Sequence, residues 1–337
     1  MTTDQADHDA ASLPEPLTPV APARGAGVDA LLVKALVYVT GKGGAGKTTV
    51  AAALGLATAA RGRRTLVCDL AASHQLARAF GRAPDAHGEV RLTGTLWSLS
   101  LDPQEALEEW LRWQPGGAAA VALLKRSRAF AHFVAAAPGA KELITIGKVV
   151  DLARPDPRAG TPPSYDRVVI DGPSTGHALG MLTAPRTVGE VARIGSVGAE
   201  ARELQDVLGD ADTIAYVGVY LPEELSVHEV VELERGLPGA VGRGLDLIVV
   251  NGVYPDRFSD AEAEQLRAAA QRAPAAWALR AALAHHGRAR IQAGHTRWLR
   301  RHARAPVITL PFLFVPMVGP PEYEALARAL VGGPEPE

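Results

Sequence analysis

The chain has 337 residues, of which 47% are hydrophobic, and its formal net charge is −2. This length suits one large α/β domain or two small ones, and the near-neutral charge gives no reason to expect a nucleic-acid partner. The single cysteine, Cys68, excludes a disulfide framework and fits a reducing cytoplasm, and no apolar run is long enough to predict direct membrane insertion.

The chain begins with a segment rich in Ala, Pro and Asp, residues 1–33, which lacks the basic start and apolar core of a signal peptide. Its composition predicts a disordered tail. We expect a single domain over residues 34–331, followed by a short tail at 332–337.

The next stretch, residues 35–60, combines a β-branched run, a glycine-rich turn and an alanine-rich run, which predicts strand, loop and helix. Within it, the spacing of the glycines, Lys47 and Thr48 is that of a phosphate-binding loop. In such a loop backbone N–H groups approach phosphate, the lysine reaches the β- and γ-phosphates and the hydroxyl binds Mg²⁺. The candidate ATP-binding residues are Gly41, Lys42, Gly43, Gly44, Ala45, Gly46, Lys47, Thr48 and Thr49.

A second lysine, Lys42, follows the first glycine of the loop, where an ordinary phosphate loop has no need of one. It lies too close to its own loop to serve as an obvious second clamp. One interpretation is that it reaches across a dimer interface to the partner's nucleotide, as an arginine finger does in trans. The other is a solvated surface lysine.

Two further strands are predicted at 65–69 and 96–101, and a largely helical region follows at about 102–153. Within that region, the stretch from 118 to 137 carries apolar residues together with a basic cluster. This region is either a helical subdomain that receives a client or a set of ordinary core helices with solvated basic faces.

Later strands are predicted at 165–171, 213–219, 246–251 and 307–310, which gives a mainly parallel α/β sheet covered by helices. Asp171 ends the first of these strands and is placed to hold Mg²⁺ through water, as a Walker B aspartate does. Asn251 ends another, where it either reads an adenine edge or closes the strand into a turn with Gly252.

The motif Gly41-Lys-Gly-Gly-Ala-Gly-Lys-Thr48, together with Asp171-Gly-Pro-Ser-Thr-Gly-His177, resembles the ArsA-type anion-transporting ATPases. The first motif marks the wider class of dimeric ATPases that includes MinD, ParA and nitrogenase iron protein. The second is narrower and points to the ArsA branch, which shares its fold with the guided-entry targeting ATPases. The order and spacing of the motifs are similar to the short actinobacterial subset.

This resemblance implies a dimer that encloses two ATP molecules, either a homodimer or a heterodimer with an ArsA-like paralogue. Lys42 would then act in trans and Asp171 would serve Mg²⁺. Asn251 would contact adenine, with Pro311 and Phe312 nearby. The helical region would receive a protein client or a membrane-protein partner.

The sequence departs from the family at switch I, where the aspartate that positions the attacking water falls on Ala71. We therefore include Asp69, two residues earlier, as a candidate catalytic residue with Lys42 and Asp171. Cys68 cannot supply the three thiolates that arsenite binding uses, and it is most simply a core residue. The expected function is an ATPase that couples nucleotide state to dimer switching; the alternatives are a regulatory subunit with little turnover and a MinD- or ParA-like positioning ATPase.

Overall fold

The computed structural model describes residues 26–71, 73–84, 88–113, 122, 139–154, 164–192, 196–272 and 276–332. Its centre is an eight-stranded sheet with the order β3-β4-β2-β5-β1-β6-β7-β8. All neighbouring strands run parallel except β3 and β4, which pair antiparallel. The strands are β1 (Leu36–Gly41), β2 (Thr65–Asp69), β3 (Glu89–Arg91), β4 (Leu96–Ser100), β5 (Arg167–Ser174), β6 (Ile214–Tyr220), β7 (Leu247–Val253) and β8 (Val307–Pro311).

Helices cover both faces of the sheet, as expected when parallel strands are joined by crossover helices. The helices of the described ranges are α1 (Ala26–Leu32), α2 (Lys47–Ala59), α3 (Gln75–Ala79), α4 (Pro103–Trp113), α5 (Ala140–Leu152), α6 (Thr175–Val191), α7 (Ser196–Gly209), α8 (Glu224–Val241), α9 (Asp260–Arg272), α10 (Trp277–His302) and α11 (Pro320–Gly332).

Strand β1 divides the core into two layers because successive side chains point to opposite faces of the sheet. Val37 and Val39 pack in a cluster with α1, α2 and α11. Leu36 and Tyr38 pack on the other face with α5, α6 and α7. The strand is buried on both faces, so its carboxyl end, where the glycine-rich loop begins, is held from both sides.

Helix α2 is buried after its first three residues, with every residue from Val50 to Ala59 shielded from solvent. Its small side chains permit this: a Cβ added at Gly55 would lie 2.5 Å from a methyl group of Val67 on β2. A helix that is apolar all round belongs inside a protein. The loop that precedes α2 is therefore attached to a fixed part of the core.

Strand β5 continues past Asp171 and pairs with β1 as far as Ser174, which lies opposite Gly41. The register shifts between Val39 and Gly41. The hydroxyl of Thr40 donates to the carbonyl of Pro173 at 2.8 Å, which adds a side-chain link along the same edge. The segment after Asp171 is thus joined to the first residue of the glycine-rich loop.

The mainly parallel α/β sheet confirms the predicted fold class, and the predicted strands overlap those of the structure. Only β3, three residues long, was not predicted. The predicted helical subdomain at about 102–153 lies partly outside the described residues, which include α4 and α5 at its ends, and the apolar and basic residues between 118 and 137 fall almost wholly outside them. The tail at 332–337 also falls outside the described residues, apart from its first position.

One prediction of local structure was wrong. The disordered tail was expected to reach residue 33, but α1 forms within it, because Val28, Leu31 and Leu32 have helical spacing and are buried in the cluster with α2 and α11. Helix α6 also runs through Ala184 and Pro185, although proline usually interrupts a helix. Both residues are buried there, so tertiary packing outweighs the helix-breaking tendency of proline.

Candidate functional site

The loop between β1 and α2 lies at the carboxyl edge of the sheet, where open parallel sheets bind ligands. Gly44 and Gly46 have φ values of 81° and 87°, a left-handed conformation that glycine adopts without steric cost. A Cβ added at Gly43 or Gly44 would meet no atom within 4 Å. The outer side of the loop is therefore open, and it leads directly into the amino terminus of α2, which favours anions.

The inner side of the loop has no such room. A Cβ added at Gly46 would lie 2.3 Å from Nδ2 of Asn251, and one at Gly41 would lie 2.0 Å from the carbonyl oxygen of Val219. The same Asn251 amide donates to the carbonyl of Ala45 at 2.9 Å. Strands β6 and β7 therefore hold the loop in the shape that leaves its outer side free.

Lys47 lies at the first position of α2, half-buried beside the loop. Its Nζ donates to the carbonyl oxygen of Lys42 at 3.2 Å. Burial lowers the pKa of Lys47, while the nearby carboxylates of Asp171 and Glu229 raise it. The ammonium group of Lys47 thus lies along the loop, where a phosphate-binding lysine is required.

Thr48 and Asp171 form the polar pair at the base of the loop. The Thr48 hydroxyl donates to Oδ2 of Asp171 at 2.5 Å. Burial is the main reason that the pKa of Asp171 rises to about 6, with a further increase from Asp69; the Thr48 hydrogen bond and Lys47 act in the opposite direction. Hydroxyl and carboxylate oxygens are the ligands that Mg²⁺ prefers, so this pair and the open loop fit a magnesium-bound phosphate group.

Asp69, the other predicted carboxylate, has a different environment. Its oxygens accept hydrogen bonds from the Ala71 and Ser73 amides at 2.8 Å each, the Ser73 hydroxyl at 2.7 Å and the Ser100 hydroxyl at 3.2 Å. Strand β2 ends at Asp69, so Ala71 lies in the following turn and does not continue the strand face. In this arrangement Asp69 stabilises the switch I turn, and its catalytic role stays a prediction.

Lys42 contacts a residue that the sequence did not single out. Its Nζ lies 3.9 Å from Oε1 of Glu229 on α8, and both side chains are partly buried, with 25% and 35% of their surface exposed. Nothing in the spacing of the sequence joins these two positions, because the contact depends on how α8 packs beside the loop. The predicted action of Lys42 in trans remains a prediction.

The predicted adenine contacts lie at the same edge of the sheet. Pro311 ends β8, and the Phe312 amide donates to the carbonyl of Val253 at 2.8 Å. The Phe312 ring, 39% exposed, packs against the Tyr254 ring with centroids 4.7 Å apart. Asn251 is engaged by the glycine-rich loop, and Thr49 lies in the first turn of α2. Recognition of adenine by these residues stays a prediction.

Cys68, in contrast, is a fully buried free thiol in β2, as expected of a core residue. Its burial raises the pKa of the thiol. Among the described residues, no group of three or more His, Cys, Asp or Glu side chains is placed to hold a metal ion. In the same part of the chain, no helix is both long enough and apolar enough to cross a bilayer.

A central parallel sheet, a glycine-rich loop before a buried helix, and the residues Lys47, Thr48 and Asp171 at one edge together define a P-loop nucleotide-binding protein. Residues 34–198 match the family described as Anion-transporting ATPase, ArsA_ATPase. This segment is thus similar to the ArsA-type anion-transporting ATPases, which confirms the resemblance of its two motifs.

Several known proteins are similar in sequence to part of this chain. The ATPase BagA of Mycobacterium tuberculosis is 31% identical over 203 residues, which cover 58% of this chain and 59% of that protein. A putative arsenical pump-driving ATPase of Halobacterium salinarum is 26% identical over 251 residues, 66% of this chain and 36% of that protein. The ATPase GET3 of Kluyveromyces lactis is 26% identical over 205 residues, 58% of each. The matched region thus spans little more than half the length of BagA and GET3.

Proposed function

We propose that the protein binds ATP with Mg²⁺ in the loop between β1 and α2 and hydrolyses it to ADP and phosphate. The observation that carries this proposal is the Thr48–Asp171 pair at 2.5 Å, placed at the base of an open glycine-rich loop beside Lys47. The match of residues 34–198 to the ArsA-type family and relatives named as ATPases support it.

Each residue of the site has a defined part in this proposal. Loop amides and Lys47 bind the phosphates, and Thr48 and Asp171 hold Mg²⁺, the latter through water. When bound, the metal ion neutralises charge on the terminal phosphates. Pro311 and Phe312 bind the adenine end of the nucleotide, and Asn251 supports the loop through the Ala45 carbonyl.

The proposal includes a dimer whose closure depends on the nucleotide. Lys42 is partly exposed, with 25% of its side-chain surface accessible, which suits a lysine that reaches the nucleotide of a second subunit. The subunit is either another copy of this chain or an ArsA-like paralogue. Release of phosphate would open the dimer and change its contact with a protein client or membrane-protein partner.

A second candidate is a nucleotide-binding regulatory subunit with little turnover, paired with a catalytic paralogue. The surroundings of Asp69 favour it: its carboxylate accepts four hydrogen bonds within and beside the switch I turn, and the family's aspartate position is Ala71. No other carboxylate of that turn replaces the missing group. Phosphate release by the isolated chain distinguishes the two candidates, since robust turnover excludes a purely regulatory role.

The experiment that tests nucleotide binding compares Lys47→Ala with Lys34→Ala as a matched control. Lys34 precedes β1, at the opposite end of the strand from the loop, and its Nζ lies 3.7 Å from Oδ1 of the exposed Asp212. We expect Lys47→Ala to lose binding of a fluorescent ATP analogue and any phosphate release, and Lys34→Ala to retain both. Equal turnover in Lys47→Ala and the unmodified chain would refute the proposal.

Dimer closure is tested separately by light scattering after size-exclusion chromatography, with and without Mg²⁺ and a non-hydrolysable ATP analogue. We expect the analogue to favour a dimer of the unmodified chain and to have no such effect on Lys47→Ala. If the purified chain binds nucleotide but stays monomeric, the same measurement with the co-expressed paralogue separates a heterodimer from a monomer.

A further inference from the structure

Glu229 on α8 forms an ion pair with the Lys42 side chain, and the proposed ATP site assigns it no task. The distance of 3.9 Å between Lys42 Nζ and Glu229 Oε1 is too long for a hydrogen bond. Partly exposed ion pairs of this kind contribute little to stability and are easily broken. The pair is therefore poorly explained as a structural support for the fold.

The charge of Glu229 also acts on the second lysine of the loop. Burial lowers the pKa of Lys47, whereas the carboxylates of Asp171 and Glu229 both raise it. Without nucleotide, the two loop lysines thus face two carboxylates. In the proposed function, Mg²⁺ balances the negative charge of Asp171. The proposed function gives Glu229 no such cation, although Glu229 lies beside the same lysines that phosphate oxygens would contact.

On the basis of the proposed ATP site, we propose that Glu229 is a built-in counter-anion that pairs with Lys42 in the nucleotide-free protein and is displaced by the triphosphate. Glu229 is then a positioning residue: it holds Lys42 within its own subunit until nucleotide arrives. Entry of the phosphates repels the carboxylate and frees Lys42 to face a second subunit. Nucleotide binding and the availability of Lys42 are coupled through one weak ion pair.

This arrangement predicts a gain of affinity when the carboxylate is neutralised. Glu229→Gln keeps the size of the side chain and removes its repulsion of phosphate, so the ATP analogue should bind about threefold to tenfold more tightly. ADP carries less charge and should gain less. The difference between the variant and the unmodified chain should shrink at high salt, where exposed charges are screened. Loss of a purely structural contact would instead weaken binding.

The matched control is Glu232→Gln, which removes the same charge from an exposed position on α8. The test measures binding of fluorescent ATP and ADP analogues to the unmodified chain and both variants at low and high salt, with melting temperatures to confirm folding. A double-mutant cycle adds Lys42→Gln. Neutralising Glu229 should change affinity less in the Lys42→Gln background than in the unmodified one, because one of its two lysine partners is then absent.

The outcomes separate this inference from the proposed function. Tighter binding in Glu229→Gln alone, with less than additive effects in the cycle, supports it. Unchanged or weaker binding in Glu229→Gln, or an equal gain in Glu232→Gln, overturns it and leaves the proposed ATP site in place. If the unmodified chain binds neither analogue, the proposed function fails and this inference fails with it.

Discussion

The hydroxyl of Thr48 lies 2.5 Å from Oδ2 of Asp171, although 123 residues separate them in the chain. Pairing of β1 with β5 brings them together, since Val39 and Asp171 are register partners. The two parts of the candidate magnesium site are therefore already in contact before nucleotide binds. Preorganisation of this kind reduces the entropy cost of binding.

Magnesium-dependent binding should depend on pH through Asp171. Burial raises the pKa of this carboxyl to about 6, so it becomes protonated as the pH falls through that value and can no longer bind a cation well. We expect the Mg²⁺-dependent part of ATP-analogue affinity to be constant above about pH 7 and to fall up to roughly tenfold per pH unit below about 6. Titrations with Mg²⁺ and with EDTA between pH 5 and 8 measure it; a flat magnesium-dependent component would contradict the assignment.

The same buried carboxylate should cost stability. The pKa of Asp171 is higher in the folded chain than the ordinary 3.8, so protonation of this carboxyl favours the folded protein. This stabilisation is lost as the pH rises through about 6. Asp171→Asn should therefore raise the free energy of unfolding of the nucleotide-free protein at pH 7.5 by about 1–3 kcal/mol, while removing Mg²⁺-dependent binding. Denaturant unfolding measures this effect.

An exposed aspartate on α7 provides the control for that measurement. Asp206→Asn removes the same charge from the surface, and we expect its unfolding free energy to differ from that of the unmodified chain by less than about 0.5 kcal/mol. The gain in Asp171→Asn should also disappear at about pH 3, below the ordinary carboxyl pKa of 3.8, where the carboxyl is mostly protonated in both states. Destabilisation of Asp171→Asn at pH 7.5 would show that its hydrogen bond matters more than its buried charge.

Asn251→Ala should weaken nucleotide binding without regard to the base. The Asn251 amide holds the Ala45 carbonyl at 2.9 Å, so its loss releases the loop. One hydrogen bond contributes about 1 kcal/mol, which predicts roughly fivefold weaker binding of ATP and GTP analogues alike. Competition experiments with both analogues measure the ratio. A selective loss of ATP affinity would instead assign Asn251 to adenine recognition.

Ala71→Asp should increase turnover if the chain is slow because switch I lacks its carboxylate. Ala71 is exposed in the turn after β2, so an aspartate there can be accommodated without displacing the core. A correctly placed group that orients water contributes about 10²-fold or more to the rate. Phosphate release under single-turnover conditions measures it, with the exposed Ala278→Asp on α10 as the control. Equal rates in both variants would mean that water is positioned by other groups.

Much of the fold was predictable because β1, β2 and β5 are short buried runs whose residue types leave few alternatives. The glycine spacing, Lys47 and Thr48 identified the loop, and Asp171 followed from the end of a buried strand. These features are local in the sequence, or depend only on the rule that parallel strands end at one edge of a sheet.

The remaining features depend on contacts between distant segments. Asp69 was a reasonable catalytic candidate by position, but the hydrogen bond that it accepts from Ser100 becomes evident only when β2 and β4 pair. The contact between Lys42 and Glu229 likewise depends on the packing of α8. No periodicity or local motif encodes such pairings, and α1 and Pro185 show the same effect of tertiary packing on secondary structure.

The ladder that joins Gly41 to Ser174 has a mechanical consequence. A displacement of the chain at Ser174 has to open backbone hydrogen bonds next to the first loop glycine, so the two segments cannot respond to phosphate independently. Motion at this edge would break the backbone hydrogen bonds between β1 and β5 one after another, from the end of β5 toward the buried Asp171. The sheet itself, and not a flexible linker, then transmits the state of the phosphate site to α6 and the helices packed on it.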